Sequence, residues 1–145
     1  MESDGIVRVQ RLHPGARLPA RATAHATGFD LYARLDAPVR LGRHPHPVGT
    51  GIAVAAPPGY DVQVRPRSGL SARGVMVSFG TIDPDYRGEI VVTMWTFGDT
   101  DGYEVQDGDR IAQLVVSRAA DVELREADDL GATARGAGGH GSTGR

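Results

Sequence analysis

Short stretches of alternating hydrophobic and polar residues run along this chain, broken about every ten residues by glycine or proline. In "YDVQVR" (Tyr60 to Arg65), Val62 and Val64 alternate with Asp61, Gln63 and Arg65. "EIVVTMWTF" (Glu89 to Phe97) is rich in β-branched and aromatic residues, and "RIAQLVVSR" (Arg110 to Arg118) and "DVELRE" (Asp121 to Glu126) have the same strand character. A period of two puts apolar side chains on one face of a strand, and many short strands with turn residues between them predict an all-β sandwich or barrel. The one plausible helical turn is "SGLSARG" (Ser68 to Gly74). "RHPHPVG" (Arg43 to Gly49) reads as a stiff surface loop in which His44 and His46 are solvated. There is no amphipathic helix, internal repeat or interior linker.

Composition narrows this picture. The chain has 145 residues, the size of one domain with a proper core. A net charge of −2 gives no general attraction to nucleic acid or membrane. The absence of cysteine excludes disulfides and thiolate chemistry. All 16 basic residues are arginine, and there is neither lysine nor asparagine. Phosphate must therefore be held by arginine, hydroxyls or backbone N–H groups. "MESDGIVRVQ" lacks the basic start and apolar run of a signal peptide, and no stretch reaches membrane-spanning length, so a soluble cytoplasmic protein is expected.

Three constellations carry possible chemistry. "GTIDPDYRGEI" (Gly80 to Ile90) sets two carboxylates, a tyrosine and an arginine in a tight turn entering a strand. It also suits an ordinary charged hairpin, with Pro84, Asp85 and Gly88 as turn formers. "RPRSGL" (Arg65 to Leu70) combines the fork of Arg67, the hydroxyl of Ser68 and the bare backbone of Gly69, a set suited to phosphate oxygens. Its alternative is a helical turn capped by Ser68. "GDRIAQL" (Gly108 to Leu114) is a turn followed by a strand carrying Gln113. The last eleven residues, "RGAGGHGSTGR", contain five glycines and cannot fold alone.

Together and in order, "ATGFDLYA" (Ala26 to Ala33), "PRSGL", "GTIDPDYRGEI", "GDRIAQLVV" and "RGAGGHGSTG" resemble the five motifs of the trimeric dUTPases, covering nearly the whole chain. The resemblance implies a jelly-roll-type antiparallel β-barrel over residues 1–125 and a flexible C-terminal arm over 126–145 that closes over the site. It implies a homotrimer with sites shared between subunits, no nucleic-acid or membrane partner, and Mg²⁺-assisted hydrolysis of dUTP to dUMP and pyrophosphate. That reaction limits uracil incorporation into DNA and supplies dUMP for dTTP synthesis.

Roles follow residue by residue. Asp83 matches the acid that orients the attacking water, and Tyr86 the ring beneath the deoxyribose, where it would collide with a ribose 2′-hydroxyl. Gly80, Thr81 and Ile82 match the backbone that reads uracil. Arg67, Ser68 and Gly69 match the phosphate cradle, and Gln113 a further phosphate or water contact. Asp30 matches the acid that holds Mg²⁺ through water. In the tail, Arg135, Ser142 and Thr143 match the γ-phosphate grip, with Gly141 beside them. Two departures stand out. The asparagine that often contacts uracil is missing, leaving backbone to do so. His140 stands where phenylalanine usually stacks on the base; imidazole stacks over a smaller area. The nearest rivals are a dCTP deaminase, for which Thr93 stands where a catalytic glutamate is needed, and a catalytically silent nucleotide-binding protein on the same fold.

Overall fold

The computed structural model describes residues 5–144; the first four residues of the "MESDGIVRVQ" reading and the terminal Arg145 lie outside them. Eleven strands and one short helix follow in order: β1 (Arg8–Arg11), β2 (Phe29–Tyr32), β3 (Val39–Leu41), β4 (His46–Gly49), β5 (Ile52–Ala55), β6 (Tyr60–Arg65), α1 (Ser68–Ala72), β7 (Val75–Val77), β8 (Gly80–Ile82), β9 (Val91–Thr96), β10 (Tyr103–Val105) and β11 (Arg110–Arg118). Each strand pairing is antiparallel. Sheet neighbours are remote in sequence: β2-β11-β6-β8 forms one sheet, β4-β9-β7 another, and β1-β5 and β10-β3 are pairs. This is the crossing pattern of the expected all-β jelly roll.

The alternation read from the sequence becomes the core. In β9, Val92, Met94 and Thr96 are buried while Val91, Thr93 and Trp95 face outward. In β6, Val62 and Val64 turn inward. They meet Leu31, Leu41, Val48, Ile52, Ile111 and Leu114 in one hydrophobic cluster. Strand β11 departs from strict alternation. A bulge between Arg110 and Ala112 shifts its register against β2, and Ile111 and Ala112 are both buried.

Three sequence expectations need correction. The loop expected at 43–49 ends in a strand: His46–Gly49 pairs with β9, and Pro47 is accommodated because β4 lies at the edge of its sheet. His44 is exposed and His46 half-buried, and no group of three or more histidine or acidic residues gathers among the described residues. The strand expected at "DVELRE" is absent. Val122 and Leu124 are 70% and 94% exposed, and that segment has no strand beside it to pair with. The last bond to the core is Ala119 N–H to Gly59 O at 2.9 Å. Finally, Arg67 and not Ser68 occupies the N-cap of α1, without a side-chain capping bond, so Ser68 opens the helix with its hydroxyl uncommitted to a cap.

One core group is left unsatisfied. Thr96 is 2% exposed, and its Oγ1 has no hydrogen-bond partner among the described residues. A buried hydroxyl without a partner costs roughly 1–3 kcal/mol. Thr96→Val keeps the shape and removes the cost. It should stabilise the fold by about 1 kcal/mol, read as a higher denaturation midpoint with an unchanged denaturant slope.

Candidate functional site

Three strands bring the first set of site residues into one row. Gln113 of β11 pairs with Asp30 of β2 on one side and Arg65 of β6 on the other. Directly paired residues share a face of the sheet, so all three side chains project the same way. Past Arg65 the chain turns through Pro66 into α1, which sets Arg67 over the same row. Arg67 Nε lies 3.2 Å from Asp30 Oδ1, and Arg110 Nη1 lies 3.8 Å from Asp30 Oδ2. Arg67 Nη1 also donates to the Arg110 carbonyl at 3.2 Å. Gln113 Nε2 donates to the Pro66 carbonyl at 2.9 Å, which fixes the side chain. Its place depends on Gly28, where any Cβ would run into the Gln113 amide.

Chemically this cluster is cationic. Arg67 and Arg110 face the single carboxylate of Asp30, which is 13% exposed, and Arg65 stands on the same face of the sheet, so the cluster keeps net positive charge. Ser68 and Gly69 stand exposed beside it, and nothing lies within 4 Å of a Cβ built on Gly69. Arg65, Arg110 and Gly28 were not singled out from sequence. All three stood inside quoted stretches, but only the structure shows what they face.

A second set gathers at the other end of the sheet. Gly80, Thr81 and Ile82 form β8, paired with Val64, Gln63 and Val62. They line a cavity of about 240 Å³ together with Asp83 and Tyr86, with Val64, Glu89, Ile90 and Val91 completing the wall. Asp83 is exposed at the turn, and its carbonyl accepts the Tyr86 N–H at 3.0 Å. Tyr86 is 47% exposed, and its hydroxyl donates to the Glu89 carbonyl at 3.0 Å. Arg87 turns back, its Nη1 donating to the Pro84 and Tyr86 carbonyls.

The two sets do not meet within one chain. In the β6–β8 register Asp83 falls level with Asp61, four residues from Arg65 along the strand. Asp30 lies three strands across from β8. At ~3.3 Å per residue and ~4.8 Å per strand, Asp83 and Asp30 are separated by roughly 20 Å. The tail is a third, separate part. Among the described residues, hydrogen bonds from positions 120–144 stay within that segment: Arg135 Nε to Gly138 O at 2.7 Å, Ser142 N–H to Gly139 O at 3.0 Å, Gly144 N–H to Gly141 O at 3.2 Å. His140, Gly141, Ser142 and Thr143 are exposed, and His140 has φ 52°, a left-handed conformation uncommon outside glycine.

The dUTPase family model matches residues 15–144. The chain is 49% identical over 144 residues to a deoxyuridine 5′-triphosphate nucleotidohydrolase of Wolinella succinogenes, covering 96% of this chain and 94% of that protein. Among solved structures it resembles the dUTPase of Staphylococcus bacteriophage 80alpha with dUPNHPP, at 25% identity and TM-score 0.83, covering 97% of this chain and 99% of that one. It also resembles a variant dUTPase from phage phi11 of S. aureus, described with a structural Mg(II) ion, at 23% identity and TM-score 0.76, covering 87% and 99%. The chain belongs to the dUTPase family.

Gly28→Ala tests the arginine cluster. The added methyl group should push Gln113 off the Pro66 carbonyl without disturbing the strands. Pyrophosphate binding, followed by calorimetry, should weaken about fivefold, the scale of one lost hydrogen bond, while the circular dichroism spectrum stays the same.

Proposed function

We infer that this chain, as a dUTPase, hydrolyses dUTP to dUMP and pyrophosphate, and we propose that it does so in a site assembled from separate copies of itself. The observation that carries the site reading is the cavity at Gly80–Ile82, with Asp83 at its edge and Tyr86 on its wall. In this reading the backbone of Gly80, Thr81 and Ile82 takes uracil, consistent with a chain that has no asparagine to offer. Tyr86 lies under the sugar. Asp83 is the exposed carboxylate nearest the base and sugar, and it holds the water that attacks the α-phosphorus and accepts its proton. Phosphoryl transfer asks mainly for positioning and charge neutralisation. The cluster of Arg67, Ser68, Gly69 and Gln113 supplies these from a second copy, since one chain holds it roughly 20 Å away. Arg135, Ser142 and Thr143 of the arm close on the γ-phosphate, and His140 stacks on the base. A homotrimer is the closed arrangement that gives every site all three parts.

The donor set suits Mg²⁺ only as a hydrated ion. One carboxylate, Asp30, is present, and its two oxygens already face Arg67 and Arg110. Asp30 would therefore meet the ion through a water, as Mg²⁺ readily allows. Bound there, Mg²⁺ supplies neutralisation of triphosphate charge. No helix among the described residues is long and apolar enough to cross a membrane. We place the enzyme in the cytoplasm with the free nucleotide pool. A deaminase is not favoured, since Thr93, half-buried and outward-facing on β9, has no carboxyl group to offer.

Asp83→Asn should bind dUTP and turn it over at least ~100-fold more slowly, the scale of a lost general base; pyrophosphate release measures this. Near-normal turnover removes Asp83 from the mechanism. Mixing inactive Asp83→Asn with inactive Arg67→Ala and refolding them together should restore activity at about one site in four by random assortment of copies. No recovery would mean that each site draws both parts from one chain. A chain ending at Ala134 should keep its fold and assembly, because among the described residues the hydrogen bonds of positions 120–144 stay within that segment, yet lose most turnover. Sedimentation and pyrophosphate release check the two halves of that statement.

A further inference from the structure

We propose that Glu89 is the positioning residue that holds the Tyr86 ring in place and, through it, sets the exclusion of a 2′-hydroxyl. The inference rests on the sugar-site reading above. Glu89 serves two partners at once. Its carboxylate Oε1 accepts the Gly51 N–H at 2.8 Å, and its backbone carbonyl accepts the Tyr86 hydroxyl at 3.0 Å. The Gly51 end belongs to the core. Gly51 is buried with φ 69° in the turn between β4 and β5. Its neighbour Thr50, 1% exposed, donates its hydroxyl to the Ile90 carbonyl at 2.6 Å, and Ile90 N–H donates to Ile52 O at 2.8 Å. Ile90, next to Glu89, is therefore held at both its N–H and its carbonyl by the buried segment from Thr50 to Ile52.

At the Tyr86 end the backbone is tied within the turn, its N–H donating to the Asp83 carbonyl at 3.0 Å, while the residue is 47% exposed. It sits in an exposed turn between exposed Asp85 and Arg87. Among the described residues, the bond from its hydroxyl to Glu89 is the one hydrogen bond its side chain makes. Two glycines keep the linkage open. A Cβ on Gly88 would collide with the Tyr86 hydroxyl, and a Cβ on Gly49 would stand 3.0 Å from Glu89 Oε1. A ring that separates hydrogen from hydroxyl must be held within about 0.5 Å, which an exposed turn alone does not supply.

The test is the ratio of kcat/KM for dUTP over UTP, measured for wild type, Glu89→Ala, Glu89→Gln, Tyr86→Phe and the Glu89→Ala/Tyr86→Phe pair. Glu89→Ala should lower the ratio about fivefold, the scale of one hydrogen bond. Glu89→Gln retains a side-chain carbonyl as acceptor and should restore it. Tyr86→Phe cuts the same linkage from the other end, leaving the Gly51 anchor intact, and should match Glu89→Ala. The pair should be no worse than either alone. A ratio unchanged in Tyr86→Phe, or additive losses in the pair, overturns the inference. Tyr86 ring NMR signals, recorded without nucleotide, separate it from the reading beneath it. A ring signal that stays put in Glu89→Ala sinks the positioning role. A ring signal that moves, with a ratio indifferent to Tyr86→Ala, sinks the sugar-site reading and leaves Glu89 as the group that holds the ring.

Discussion

The register of β11 between β2 and β6 is the constraint on which the site depends. A strand paired on both edges has no freedom to slip, because a one-residue shift would turn Leu114 out of the core and Gln113 into it. That register places Asp30, Gln113 and Arg65 in one row. The bulge at Arg110–Ala112 then lets Ile111 and Ala112 both stay buried while Arg110 reaches Asp30. The hydrophobic core and the cationic cluster are thus two faces of one pairing. Burial of Leu114, Val62 and Val64 on the inner face fixes the geometry of charged groups on the outer one.

Alternation made β6 legible in the sequence, and β-branched and aromatic residues did the same for β9, while β11, with its bulge and paired buried positions, read as a strand without strict alternation. Strand β4 was hidden by its proline and histidines, which look like loop residues and are tolerated only because the strand lies at an edge. "DVELRE" misled in the opposite direction. Its pattern is that of a strand, but pattern cannot say whether a partner strand exists. The site was legible in the same uneven way. Asp83, Tyr86 and Arg67 were proposed from ordered motifs, whose chemistry is local. Gly28, Arg110 and the Glu89 linkage were not, because their meaning lies in contacts 38 to 85 positions apart along the chain.

The two residue clusters also explain why a single chain looks incomplete. The cavity by Tyr86 has carboxylates and a ring but few cations free for phosphate, since Arg87 is engaged by backbone carbonyls. The arginine cluster has the opposite composition and no base pocket. Each lacks what the other holds, and in the proposed assembly their separation makes nucleotide binding a property of the interface. In that assembly, exposed Ser68 and Gly69, the latter with nothing within 4 Å of an added Cβ, would face a neighbour's cavity.

The arm has a consequence of a different kind. Among the described residues, positions 120–134 make no backbone hydrogen bond to a strand, so in the proposed closure this segment would serve as a tether between the core and the glycine-rich tip. A tethered group closes on its target at an effective concentration set by tether length and not by the amount of protein. Lengthening such a tether is cheap, each doubling adding only about 0.6 kcal/mol to the closure entropy. Shortening it below the span abolishes closure altogether. The sequence of the tether is therefore under weak physical constraint and its minimum length under a strong one.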